Sequence, residues 1–552
     1  MVREFECVYQ DSRHQRFFIL ASLDDLALHF CHWRELQRFG LSSISAGQRL
    51  RMDAAEPDGL FESRGLRVTS APEMLGSGPD TTLSIVSGED FTGSGLANLV
   101  SLLEDSVAPP LVMIGCRIGS LEWRDQHVRR GLAFLDCTFE GNARFIGCRF
   151  DRTLWLCNSV FRKHFSLKSS IVEGDLHLES CDFSGEGGLS CRGLQARNCY
   201  LDLGVKGSSD ITWLNEMQIE GMLSLGGSFS APVQLMNDQD PLAPAEHRRQ
   251  VGAIEFGREI YINEHANATR FEAAVVIEGY ALGRLNAHRV EFESLAIRDL
   301  HCDAAELHRV KVSGDLEIEN TRFAAGGLKL EQSSVLGHLR LERVELEGTL
   351  SLRDSSVSEN AYLDAPRFHD RSRLDLHRFS CARFLLSPPR LLLNGSRFRL
   401  FSARRFDLLR AQDDVEQLGD QYCSLKHWLA DAGQLDLEDT AFFCMRDCYS
   451  RHPLSRFVFG RVFGWGVRLT NIAASALVLI LAYALLYFLL SPDLGWLGAL
   501  VLSKQAFIGA FFGTVEGLEP GHLLAVVVTT EALLGVLFVT VFVGAYIRKL
   551  LR

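Results

Sequence analysis

The stretch Val172-Glu-Gly-Asp-Leu-His-Leu178 returns 140 residues later as Val312-Ser-Gly-Asp-Leu-Glu-Ile318. Looser copies occupy residues 219–225, 335–341 and 346–352. A recurring apolar-x-Gly-x-apolar-x-apolar unit makes most of the chain an array, so its period is read before any other motif. Phe139, Phe150, Phe161, Val172, Phe183 and Leu194 stand 11 apart, and Phe145, Leu156, Leu167, Leu178 and Leu189 keep the same step. A row of small residues, Cys137, Cys148, Ser159, Ser170 and Cys181, runs two places ahead of the first row. With one slip, the pattern resumes in Val312, Phe323, Val335, Leu346, Val357 and Phe368, accompanied by Ile318, Leu330, Leu341, Leu352 and Leu363.

A helix would bring apolar residues back at steps of three and four, and these units do not. Within each unit the alternation has period 2, as in Leu176-His-Leu178 and Leu339-Arg-Leu341, which describes a short strand with one buried face. The glycines Gly141, Gly174, Gly185, Gly314, Gly337 and Gly348 fall just after the first apolar row, where a corner with positive φ is expected. Short strands and tight corners at a fixed period predict a mainly β chain: a right-handed parallel β-solenoid. Two units of 11 make a coil of 22, stacking Phe139, Phe161 and Phe183 as one interior ladder and Phe150, Val172 and Leu194 as the facing one.

The pairs Cys137-Thr-Phe139, Ala143-Arg-Phe145, Cys148-Arg-Phe150 and Cys181-Asp-Phe183 resemble the units of pentapeptide-repeat proteins, which centre on Phe or Leu with a small residue two places earlier. The resemblance holds over about 110–200 and again over 310–370. The expected division is an N-terminal α/β cap over 1–110, a first solenoid array over 111–230, and a loop excursion over 231–258 around Asp240-Pro-Leu-Ala-Pro244. A second array over 259–395, a helical linker over 396–468 and a membrane hairpin over 469–552 complete it. In the cap, residues 23–39 have helical spacing through Leu26, Leu28, Phe30, Trp33 and Leu36. The cap is expected to close the open end of the solenoid, whose terminal rung otherwise exposes an edge.

A net charge of −12 does not suit a partner held through nucleic-acid phosphates. Of the fourteen cysteines, Cys137, Cys148 and Cys181 fall on the small-residue row and act there as small buried hydrophobes. Cys444 and Cys448 are four apart on an expected helix, but no second Cys/His pair stands nearby to complete a zinc site. Residues 1–10 hold Arg3, Glu4 and Glu6 and no apolar run, so no secretory signal is expected there, and reduced thiols in a cytoplasmic domain follow.

Beyond Phe368 the period dissolves through Pro388-Pro389 and a basic stretch over 397–410. Two helices are expected over 413–432 and 436–450, parted by Gly433, with Leu418, Tyr422, Leu425 and Leu429 lining the first and Phe442, Met445 and Tyr449 the second. Residues 472–490 then give 19 positions without a charge, a helix of about 28 Å against a bilayer core of about 30 Å. Residues 523–547 form a second span, charged only at Glu531. Arg451, Arg456, Arg461 and Arg468 precede the first span, and Arg548, Lys549 and Arg552 follow the second. The excess of basic residues on those flanks puts both termini and the solenoid on the cytoplasmic side of the inner membrane.

Residues 496–512 are too apolar for a plain loop, yet Lys504 and Gln505 make a poor third span, so a re-entrant half-helix is expected. Span, re-entrant helix, Thr514-Val515, Glu519-Pro520, second span and basic tail together resemble two-transmembrane pore-loop channels of the potassium-channel type. Phe463-Gly-Trp-Gly-Val-Arg468 is similar to the entry sequence of bacterial proteins that join pentapeptide repeats to such a hairpin. The resemblance implies a homo-oligomer, a tetramer, with Thr514, Val515, Glu516, Gly517 and Glu519 at the filter position. A potassium filter reads Thr-Val-Gly-Tyr-Gly, whereas this chain reads Thr514-Val515-Glu516-Gly517-Leu518-Glu519. Glu516 or Glu519 repeated around an oligomer makes a carboxylate ring that draws cations without resolving potassium from sodium. An ionised carboxylate at a helix centre faces water or a partner. Glu531 therefore either belongs to a pore or gate, or bonds the intervening helix through Lys504 or a hydroxyl and locks the hairpin.

Two functions remain in view. The first is a cytoplasmic solenoid that senses or scaffolds for a cation-passing hairpin in the lipid bilayer. The second is a membrane-tethered scaffold, binding a protein partner on the solenoid without transport. An enzyme is not expected: there is no Gly-x-Ser-x-Gly, no His-Glu-x-x-His, no phosphate-cradling glycine loop and no cofactor motif. A nucleic-acid mimic fits poorly with a membrane anchor.

Overall fold

In the computed structural model the described residues are 2–10, 17–22, 28–32, 36–39, 41, 44, 48–55, 67–68, 73–77, 84–93, 110–183, 188–205, 212–237, 249–257, 269–369, 372–387, 415–512 and 522–551. The chain divides into two compact units, Met1–Ser372 with Ser380–Ala382, and Arg373–Phe379 with Arg383–Arg552.

The first unit is dominated by a parallel β-solenoid; the array makes about 11 turns. One coil uses four short strands, as in Arg117–Ile118, Leu121–Arg124, His127–Val128 and Leu132–Leu135. The next coil repeats them 21 or 22 residues on, pairing Ile118 with Phe139, Trp123 with Phe145, Val128 with Phe150 and Phe134 with Leu156. The interior ladder is as the period predicts. Phe139 stacks on Phe161 at 4.7 Å and 9°, and Phe161 on Phe183 at 4.6 Å and 5°. Facing it, Phe150 pairs with Val172, but Val172 then meets Ala196 and not Leu194, because that coil is two residues longer.

The glycines need a different explanation from the one expected. Left-handed φ falls at Asp125, Asp136, Gly147, Asn158, Ser169 and Ser180, a row 11 apart in which only one residue is glycine. Gly141 and Gly348 have ordinary φ and are required by close approach: a Cβ would stand 2.2 Å from Ser120 Oγ at the first and 2.3 Å from the Ala325 carbonyl at the second. Gly185 lies outside the described residues.

The small-residue row supplies polar tips to the corners. Ser170 Oγ donates to the Phe145 carbonyl at 2.9 Å, and Ser355 Oγ to Leu330 at 2.9 Å. Cys181 Sγ occupies the equivalent place, 3.1 Å from the Leu156 carbonyl. Such thiols titrate against the fold. Burial pushes Cys7, Cys191 and Cys302 up to about 12 from an ordinary value of 9. The folded chain thus keeps protons that the unfolded chain releases, so this contribution is intact below pH 9 and is lost as pH rises from 9 towards 12. By pH 10 the expected loss is roughly 1 kcal/mol per thiol. Unfolding of the full chain in detergent, followed by circular dichroism at pH 8 and pH 10, should show it, with a smaller alkaline drop in Cys191→Ala.

The array does not stop between its two legible halves. Val233–Met236 and Gln250–Phe256, inside the expected excursion, pair with Thr269–Glu278 and Ala281–His288 as ordinary rungs. Residues 238–248 and 258–268 lie outside the described residues. Beyond them the coil shortens: Ala281 pairs with His301, Leu285 with Ala305 and Ala287 with Leu307, a step of 20. At the other end, Ser84–Ser87 and Asp90–Phe91 already pair with Leu111–Ile114 and Arg117–Ile118.

Most of the described residues of the N-terminal segment form a β-sheet. Its strands are β1 (Val2–Gln10), β2 (Phe17–Ser22), β3 (Leu28–His32), β4 (Gln48–Ala55), β5 (Arg67–Val68) and β6 (Glu73–Ser77), in the order β3-β2-β1-β4-β5 with β6 also on β4. The helix expected over 23–39 is replaced in part by β3, which pairs antiparallel with β2 from Phe17–His32 to Ala21–Leu28. Pairing to a neighbouring strand here outweighs local helical spacing. This sheet lies on the solenoid's flank: Val8, Tyr9 and Ile19 pack on Val112, Ala133, Leu135, Trp155 and Cys157. Tyr9 Oη donates to Asp136 at 2.8 Å and accepts from Asn158 Nδ2 at 2.8 Å. The covered rungs Leu132–Leu135 and Leu154–Cys157 are buried on both faces, whereas Leu121–Arg124 alternates buried and exposed.

The uncovered faces carry charge in alternating sign. Arg284 and Lys329, on the coils either side of it, flank Glu306 at 2.7 and 2.9 Å. Burial works against ionisation of Glu306, but Lys329 and Arg284 outweigh it and hold its carboxyl below the usual range.

In the second unit, α1 (Val415–Asp431) and α2 (Leu435–Tyr449) form a helical pair, with Gly433 at φ +68 in the turn. Tyr422, Leu425 and Leu429 of α1 are buried, and Trp428 joins them against Phe379 and Phe384 at 5.6 and 5.2 Å. In α2 the buried row is Leu437, Ala441, Phe443 and Cys444, and Tyr449 is exposed, so the inner face is rotated from the expected Phe442, Met445 and Tyr449. Pro388-Pro389 and residues 397–410 lie outside the described residues.

Candidate functional site

Three apolar helices follow: α3 (Leu469–Leu490), α4 (Gly495–Phe512) and α5 (His522–Leu550). Two of them, Leu469–Leu490 and Leu523–Leu550, are long and apolar enough to cross a membrane. Only 17 % of each apolar window is buried, so these helices present their apolar sides outward, unlike the core helix of a soluble protein.

The contacts fix the directions of the helices. Near one end, Tyr487 of α3 clusters with Ala499 and Leu502 of α4 and Leu524 of α5. Midway, Ser503 Oγ of α4 donates to the Ile480 carbonyl of α3 at 2.9 Å. At the other end, Ile472 of α3 meets Phe507 of α4 and Phe538 and Ala545 of α5. Residue numbers rise together in α4 and α5 and fall in α3. Hence α3 runs antiparallel to both, while α4 and α5, consecutive in sequence, run parallel. Successive helices that each cross a bilayer through short turns would alternate direction.

Small residues let α4 and α5 approach. Ala499, Ser503 and Ala506 are the small residues among those buried on α4, and a Cβ on Gly535 of α5 would lie 2.1 Å from the Phe507 carbonyl. Gly535→Ala is therefore expected to cost about 1–3 kcal/mol through forced separation of the backbones. Gly544, where an added Cβ would meet nothing within 4 Å, is the control. Thermal melting in detergent should fall for Gly535→Ala and hold or rise for Gly544→Ala.

Glu531 is fully buried at the junction of the three helices. Tyr487 Oη lies 2.5 Å from its Oε2, and Ser503 Oγ 2.5 Å from its Oε1. Its partners are thus two hydroxyls, and Lys504 is exposed on the other side of α4. Sequence reasoning misses Tyr487 and Ser503; the available signal is a hydroxyl on each neighbouring apolar helix. Thr514, Val515, Glu516, Gly517 and Glu519 lie outside the described residues.

The flanking basic residues meet α2. The Arg468 guanidinium sits 4.0 Å over the Phe443 ring and Arg548 4.8 Å over Phe442, while Lys549 Nζ lies 3.7 Å from Asp439. Both basic ends of the hairpin are thereby gathered on one helix of the same unit.

On the solenoid, a groove of about 510 Å³ runs along Gln218, Glu220, Gln250, His301, Asp303 and Arg322. It is shallow-walled because glycines stack beneath it: a Cβ on Gly252 would stand 2.4 Å from the Gly221 carbonyl, and one on Gly283 2.5 Å from that of Gly252. Arg322 is bound to Glu347 at 2.6 Å on its rim. Among the described residues, no three His, Cys, Asp or Glu side chains gather as metal ligands would.

These features define a β-solenoid protein with a C-terminal pair of membrane-length helices. No protein-family model, no curated protein and no solved structure matches the chain.

Proposed function

We propose that this is a protein of the cytoplasmic membrane whose solenoid and termini face the cytoplasm, and whose C-terminal hairpins associate to pass cations without selecting potassium. The observation that carries this reading is the parallel run of α4 and α5. It supports a re-entrant α4, entering from the side on which α5 begins, as in a pore-loop hairpin. The solenoid serves as sensor or scaffold, with the groove beside Asp303 and Arg322 as the place for a protein partner; neither catalysis nor a cofactor is part of the proposal.

Purified full chain in lipid vesicles is expected to release a monovalent-cation gradient, sodium about as readily as potassium. Glu516→Gln with Glu519→Gln should reduce that flux. Absence of flux under any gradient, or flux unchanged in the double variant, defeats the reading.

One observation favours a tethered scaffold without transport: both carboxylate oxygens of Glu531 are engaged within the hairpin. A protein that reaches the membrane and captures its partner but never conducts would have that role.

A further inference from the structure

We propose that residues 453–466 form a lipid-contacting collar that lies in the headgroup layer and prefers anionic phospholipid. The proposal rests on the membrane reading of α3 and α5 and adds a surface outside both helices. Pro453 opens a short helical turn, and Arg456–Val462 continues it with wider π-type turns. Val458 and Val462 face inward and pack with Phe463 on Ile472, Phe538 and Ala545. Leu454, Phe457 and Phe459 face outward and are 68, 61 and 53 % exposed. Three large apolar side chains within six positions forgo about 1.5–3 kcal/mol each if they meet only water.

The geometry of the turn that follows keeps this apolar side together. Gly464, Trp465 and Gly466 have φ of +53, +51 and +71, so a tryptophan is held in the left-handed region between two glycines. That conformation is costly for a bulky residue and persists only where the surroundings enforce it. Here it folds the indole back to stack on Phe459 at 6.0 Å and 18°. An aromatic pair at the mouth of a span is the arrangement found at membrane–water interfaces.

Charge names the lipid. Residues 451–468 contain Arg451, Arg456, Arg461, Arg468 and no Asp or Glu. Arg456 is used inside the protein, donating to the Asp447 and Ser450 carbonyls at the end of α2 at 2.8 and 3.2 Å. Arg461, which also has a contact within the protein, is exposed on the collar itself, and it is the residue assigned to the headgroups. The collar is also continuous with the outward side of α3, where Leu477 and Val478 are 57 and 55 % exposed. Charge and continuity therefore both favour a bilayer over a protein partner.

The test is Phe457→p-benzoylphenylalanine in the full chain, reconstituted in phosphatidylcholine vesicles containing phosphatidylglycerol and photolysed, with adducts read by mass spectrometry. Lipid adducts are expected, with phosphatidylglycerol enriched about fivefold over its share of the mixture, the ratio that ~1 kcal/mol per basic residue near an anionic surface gives. Arg461→Gln in the same background should return labelling to that share. Leu489→p-benzoylphenylalanine, on the outward side of α3, is the reference. Lipid adducts at 489 with peptide adducts or none at 457 overturn the collar and leave the spans standing. Lipid adducts at neither position overturn both. Labelling at 457 in proportion to the mixture overturns the anionic preference.

Discussion

Phe161→Ala is expected to remove about 3–5 kcal/mol from the stability of the solenoid. Phe161 lies between two parallel rings, Phe139 and Phe183, and also meets Phe165 at 4.8 Å. All four are buried to within 1 %. Truncation removes one ring's transfer energy and leaves a hole, and the hole cannot close because its walls are set by backbone pairing of Val160 to Thr138 and Asp182. Because each coil touches only its neighbours, the loss weakens two interfaces at once, above and below. Denaturant unfolding of the full chain in detergent, followed by the strand signal in circular dichroism, measures it. Trp213→Ala removes a larger ring from a position that is 40 % exposed and should cost far less. Equal losses for the two variants would mean that the ladder is not what holds the rod together.

The solenoid is legible because its signal is repeated. A step of 11 in Phe139, Phe150 and Phe161 converts directly into a coil of 22, and the pairing of Phe139 with Phe161 follows. The middle of the rod is opaque for the same reason. Tyr280, Val290, Leu300 and Val310 stand 10 apart, so a period of 11 loses the row just where the coil shortens to 20. Local spacing also conceals why glycine recurs. Sequence shows that a small residue is demanded at Gly141 but not whether φ or a neighbouring coil demands it; contact with Ser120 is a tertiary fact. The flank beneath the N-terminal sheet does leave a trace. Leu132-Ala-Phe-Leu135 and Leu154-Trp-Leu-Cys157 break the alternation kept by Leu121-Glu-Trp-Arg124, as strands buried on both faces do.

The hairpin divides similarly. Length and apolarity mark α3 and α5, and the charge at Glu531 marks a position that must be satisfied. Which groups satisfy it depends on the relative run of three helices, and no periodicity within one helix records that. Lys504 is adjacent in sequence to Ser503 but about 100° away around the helix. The nearer charge in the sequence is therefore on the wrong side of α4, and an ordinary serine takes its place.

Glu531→Leu is accordingly expected to destabilise the hairpin by about 1–3 kcal/mol, since it strands the buried Tyr487 hydroxyl while Ser503 keeps the Ile480 carbonyl as its acceptor. Glu531→Gln should cost far less. Its carbonyl can accept from Tyr487, and its amide can donate to Ser503, whose own proton is held by the Ile480 carbonyl, so neither hydroxyl is stranded. Tyr487→Phe with Glu531→Leu provides the cycle: removing both members should cost less than the sum of the single changes, because the second substitution removes a group that the first had stranded. Thermal unfolding in detergent reads the four proteins of the cycle and Glu531→Gln. The same set separates a lock from a pore residue. A lock gives glutamine near the wild-type melting temperature with unchanged cation flux in vesicles, and leucine well below it. A pore residue gives glutamine the wild-type melting temperature but altered flux. If leucine melts with the wild type, the buried trio contributes nothing to holding α3, α4 and α5 together, and the packing at Gly535 must carry that role alone.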